Sequence, residues 1–116
     1  MILIATSDMF FIAKIESVAK IVDARIHFVK SVDELIAKSK IEAVTKIILD
    51  LESKDVNAIE AIERIRTDSR LSGIPVIGYL SHVEMEDLGA AAREAGCTSV
   101  LAKSQFSSSL PEILKA

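Results

Sequence analysis

Twice in this chain a short apolar run stops on a charge: Lys46 to Leu49 ends at Asp50, and Val100 to Ala102 ends at Lys103. With Ile47, Ile48 and Leu49 in file and no polar alternation, the first run fits a strand buried on both faces, the situation found in a parallel sheet. Around these runs the hydrophobic period changes repeatedly. Ile2 to Ala5 is a first apolar run, after which Phe11, Ile15 and Val18 share one stripe of a helix over Met9 to Ile21, with Lys14, Glu16 and Lys20 outside the stripe. Arg25 to Val29 alternates weakly as a second strand. Ser31 with Glu34 makes a capping box for a second helix anchored by Leu35 and Ile36.

The same alternation continues to the end. Val56 to Arg66 carries Ile59, Ile62 and Ile65 at helical spacing, and Ile74 to Leu80 reads as a fourth strand with Pro75 near its start, where a missing donor is tolerated. A helix follows near Met85 to Ala95, closed by Gly96, and Thr98 to Ala102 is the fifth strand. Ser109 with Glu112 predicts a final helix with Pro111 in its first turn. Five strand–helix pairs with right-handed crossovers predict one α/β domain over residues 1–116, a three-layer α/β/α sandwich around a five-stranded parallel sheet. No linker or low-complexity stretch divides it.

Composition excludes several classes. Apolar residues make up 50% of the chain, ample for a core, and 14 Lys+Arg against 17 Asp+Glu leave a net charge of -3 with no basic stripe for phosphate neutralisation, so nucleic acid is not an expected partner. Cys97 is the only cysteine, which excludes an intrachain disulfide or a cysteine metal cluster and fits a reducing compartment. Met1 to Ala5 lacks the basic leader and the length of a signal peptide, and no segment reaches membrane-spanning length. The expectation is a soluble, cytoplasmic protein with no membrane partner.

Ligands of open α/β sheets bind at the carboxyl ends of the strands. Asp50 and Lys103 at two such ends predict a site above the sheet, where the carboxylate acts as nucleophile or ligand and the ammonium holds an anion. The plainer reading of each is a solvated strand end.

The order of elements, with Asp50 ending the third strand and Lys103 the fifth, resembles the receiver domain of bacterial response regulators across essentially the full chain. That resemblance implies the flavodoxin-like strand order 2-1-3-4-5. It implies a role in phosphorelay signal transduction, with a histidine kinase or a downstream signalling protein as partner and no enzymatic activity. By the same resemblance Asp50 accepts a phosphoryl group, while Lys103 and a hydroxyl after the fourth strand contact the phosphate. For the hydroxyl, counting from Pro75 gives Leu80, and counting back from Gly96 gives Ser81; Ser81 with Glu84 also reads as a capping box.

This sequence departs from the pattern at the metal. Receivers carry two acidic residues after the first strand that hold magnesium, and the matching positions here are Thr6 and Ser7, which leaves Asp50 as the carboxylate ligand and a weak or absent ion. Asp8, one residue on, substitutes if the loop shifts; its other reading is the N-cap of the first helix. Val100 stands where receivers place an aromatic. Ser104 follows the lysine where proline is common and often preceded by a cis bond, which for serine costs about 2.5–4 kcal/mol. Glu52 brings a further carboxylate, either a ligand or a charge that repels phosphate.

These departures predict a degenerate receiver, a pseudo-receiver acting by protein–protein interaction; the alternative is a conventional receiver phosphorylated on Asp50. A small flavin or nucleotide binder is the alternative from another class, though Thr6, Ser7, Asp8 and Met9 contain no glycine to let backbone approach a pyrophosphate. Ser81 beside His82 lacks the strand–turn–helix elbow of a hydrolase, and His27 reads as a surface or edge residue.

Overall fold

The structure is a computed structural model that describes residues 1–115. Its elements are β1 (Ile2–Ala5), α1 (Met9–Val22), β2 (Ile26–Phe28), α2 (Val32–Ile41), β3 (Lys46–Asp50), α3 (Ala58–Thr67), β4 (Val76–Leu80), a 3-10 turn (His82–Glu84), α4 (Asp87–Ala95), β5 (Ser99–Ala102), α5 (Lys103–Ser108) and α6 (Leu110–Leu114). The strands form one sheet in the order β2-β1-β3-β4-β5, and every pair is parallel. This is the three-layer α/β/α sandwich expected from the alternation.

The two-residue strand period sorts side chains between two cores. Leu3, Ala5, Ile47, Leu49, Val76 and Leu80 face α2, α3 and α4 and pack on Leu35, Ile62, Ile65 and Ala92. Ile2, Ile4, Ile48 and Tyr79 face the other way, onto Phe11 and Ile15 of α1, Phe106 of α5, and Leu110 and Leu114 of α6. Asp50 follows Ile48 by two residues, so it sits on the α1 and α5 side. So does Tyr79, its register partner on β4.

Several boundaries differ from expectation. β2 has three residues, and β4 starts at Val76 because Pro75 cannot donate to the ladder, although its carbonyl accepts from Ile47 N–H at 2.9 Å. Asn57 caps α3, so Val56 lies before the helix, buried under the loop. The last helix has Pro111 in its first turn as expected, and the correction lies in what precedes it. Helix begins at Lys103, pauses at Ser109 (φ -98, ψ 4) and resumes, and Ser109 makes no side-chain capping bond. Pro111 cannot donate to Ser107 and its ring crowds that carbonyl, so the break falls at Ser109, two residues before it. The Ser81–Glu84 capping box is likewise absent: the Glu84 amide donates to the Ser81 carbonyl at 3.0 Å, and the hydroxyl is turned to Glu52. The described residues contain no cis peptide bond, so Lys103 is joined to Ser104 in trans.

Candidate functional site

Asp50 and Lys103 do reach the same rim. β4 lies between their strands, pairing Asp50 with Tyr79 on one side and Leu80 with Ala102 on the other. Lys103 opens α5, and its charge is felt at Asp50. Asp50 is 6% exposed, and burial raises its carboxyl above the usual range. The Glu52 amide, the Thr6 hydroxyl and the Lys103 charge oppose that rise, while the Glu52 carboxylate adds to it.

Each oxygen of Asp50 already has a donor. Glu52 N–H donates to Oδ1 at 2.9 Å, and the Thr6 hydroxyl donates to Oδ2 at 3.2 Å. Thr6 Oγ1 in turn accepts from the Tyr79 hydroxyl at 2.7 Å and from Asp8 N–H at 3.1 Å. Tyr79, fully buried, stacks on Phe106 with ring centroids 4.3 Å apart and touches Phe11 at 4.9 Å. Burial pushes its phenol well above the ordinary value, so it is a fixed donor. A chain of three side chains, Tyr79 to Thr6 to Asp50, therefore runs under the rim with every hydroxyl committed.

The other predicted residues sit as follows. Asp8 caps α1, its Oδ1 accepting from Phe10 N–H at 2.9 Å and Phe11 N–H at 3.4 Å. Ser7 is exposed at the loop tip. Leu80 is buried on the α3 and α4 face, so of the two candidate hydroxyl positions Ser81 is the one at the rim. Its backbone N–H and hydroxyl both donate to the Glu52 carboxylate, at 2.5 and 3.1 Å. Val100 packs with the α2–α4 core rather than toward Asp50. His27 lies on the edge strand β2, 3.3 Å from Glu34.

Magnesium, which the resemblance implies, wants hard anionic oxygens in near-octahedral array. The residues present do not fit it. Asp50 keeps a lone pair on each oxygen, but the two neighbouring carboxylates are turned away from it, Asp8 to the α1 amides and Glu52 to Ser81. Among the described residues, no three His, Cys, Asp or Glu side chains group to hold a metal, and no buried side-chain nitrogen or oxygen lacks a hydrogen-bond partner.

Sequence reasoning missed Tyr79 and Gly78. A signal existed for the first: it is the only tyrosine, inside an apolar strand, and a buried phenol needs a partner. Gly78 showed none, since its role is tertiary. A Cβ there would come 2.8 Å from Leu51 Cδ2, so its absence lets Leu51 fold over β4 and fixes the loop that carries Glu52.

No family model matches the chain, and no curated protein does. Solved structures do. A response regulator from Hahella chejuensis superposes with TM-score 0.85 at 22% identity, covering 97% of this chain and 90% of its own. The receiver domain of the sensor histidine kinase PA1611 from Pseudomonas aeruginosa, which has a magnesium ion in its active-site cleft, gives 0.82 at 18% identity over 98% and 93%. The chemotaxis response regulator CheY4 of Vibrio cholerae gives 0.82 at 16% over 98% and 94%. The chain has the receiver fold.

Proposed function

We propose that this protein is a signalling module of the response-regulator type that works by binding another protein, with Asp50 retained as part of the framework rather than as a working phosphoacceptor. The observation that supports this most is the Tyr79–Thr6–Asp50 chain: Thr6, at a position where receivers carry an acid, donates a hydrogen bond to Oδ2 of the would-be nucleophile. An attacking carboxylate needs a free lone pair and an electrophile drawn close by positive charge. Here each oxygen carries a hydrogen bond that lowers its nucleophilicity, and the neighbouring carboxylates Asp8 and Glu52 are turned to the α1 amides and to Ser81. The partner class on this reading is a histidine kinase or a downstream signalling protein, and the module has no catalytic activity of its own.

A conventional receiver is the second reading, favoured by one observation: the Lys103 charge reaches Asp50 across β4. One experiment separates the two. Incubation with acetyl phosphate at saturating magnesium, followed by intact-mass measurement, is expected to add nothing. A gain of one phosphoryl group that disappears in Asp50→Asn overturns the first reading and establishes the second.

A further inference from the structure

The Glu52 side chain belongs to the connection after β3, yet both its carboxylate oxygens are spent on the connection after β4. Oε1 accepts from Ser81 N–H at 2.5 Å and Oε2 from the Ser81 hydroxyl at 3.1 Å. Two donors from one residue converge on the two oxygens of one carboxylate, which is the arrangement of an oxyanion receptor already filled. Glu52 reaches it because Leu51 extends the ladder, its N–H donating to Tyr79 O at 3.0 Å, and because Gly78 leaves room for the Leu51 side chain beneath. The contact also displaces a local alternative. Ser81 precedes the 3-10 turn with Glu84 three residues on, the spacing of a capping box, but its hydroxyl makes no capping bond. What the turn lacks in a cap it gains in a tether to the neighbouring loop, and it presents Val83, 83% exposed, to solvent.

We infer that Glu52 is a built-in anionic ligand of the Ser81 receptor: an internal strap that holds the turn 82–84 in one posture, Val83 outward, without any group added to Asp50. The strap deepens the proposed function, on which it rests, by assigning what fixes the displayed surface. Its charge is felt at Asp50, where it works against the ionised form.

Amide hydrogen exchange on the full chain tests it, with Ile48 and Leu49 amides reporting that the sheet is intact. In Glu52→Ala the Ser81 amide is expected to exchange on the order of 10-fold faster, with Glu84 and Met85 following, and Glu52→Gln, which keeps one acceptor oxygen, falls between. In Asp50→Asn the Ser81 amide keeps its protection. Unchanged Ser81 exchange in Glu52→Ala overturns the strap, as does its release in Asp50→Asn, which would place control of the turn at Asp50. Phosphorylation by acetyl phosphate is a separate readout: a mass gain overturns the proposed function, whereas the exchange pattern judges the strap.

Discussion

A carboxylate buried under a sheet rim costs stability when it ionises, and Asp50 carries that cost. Its folded pKa lies above the value in the unfolded chain, about 3.9. Its contribution to stability is therefore fully present below the unfolded value and is lost as pH rises through the folded one. Asp50→Asn has no such titration. Urea unfolding of both proteins from pH 3 to pH 8 should show the native chain losing stability relative to the variant over that interval, then running parallel to it; a difference that is flat or moves the other way would refute the burial argument. Asp50 and Lys103 were legible as strand-end residues of one rim because charge at the end of an apolar run is a one-dimensional signal. Tyr79 was not, because its meaning depends on Thr6, 73 positions away.

Helix ends carry the next scale of argument. Asp8 and Ser31 were read as caps and are caps, since a capping bond spans two or three residues and needs nothing else. Ser81 and Ser109 showed the same local pattern and are not. At Ser81 the Glu84 amide is taken by the Ser81 carbonyl while the hydroxyl donates to Glu52 on another loop, and at Ser109 a helix already running from Lys103 is broken by Pro111. The end of α4 was readable because Gly96 adopts φ 117, a conformation that side chains resist. A Cβ there would also lie 2.7 Å from Arg66 Cγ. Arg66, on α3, ties down the connections before β4 and before β5, donating to Ile74 O at 2.8 Å, Gly96 O at 2.8 Å and Thr98 Oγ1 at 3.1 Å. Gly96→Ala is accordingly expected to cost roughly 1–3 kcal/mol in chemical denaturation, from backbone strain and displaced Arg66 contacts together. A cost near zero would mean that the loop relaxes freely.

At the scale of the molecule, two cores on opposite faces of one sheet leave a single rim where five connections gather, and the charges at that rim decide what it can hold. With uncharged Thr6 and Ser7 following β1 and Asp8 turned to the α1 amides, the thermal midpoint of the native chain is expected to ignore millimolar magnesium. Thr6→Asp combined with Ser7→Asp crowds negative charge beside Asp50, lowering the midpoint until magnesium is added. Recovery amounts to about 2.7 kcal/mol at roughly a hundred times the dissociation constant. A magnesium-dependent rise in the unaltered chain would contradict the donor-set argument.

From the sequence alone came the layers, the parallel sheet and the placing of Asp50 and Lys103 at one rim, because hydrophobic period and strand-end charge are properties of contiguous residues. The strand order came from resemblance and is what the sheet has. The tertiary structure decided what occupies the rim: Thr6 on Asp50, Tyr79 on Thr6, and Glu52 on Ser81. Each is a hydrogen bond between strands or loops distant in the chain. A donor's choice among several acceptors is settled only when the fold has brought them within 3 Å or so of one another.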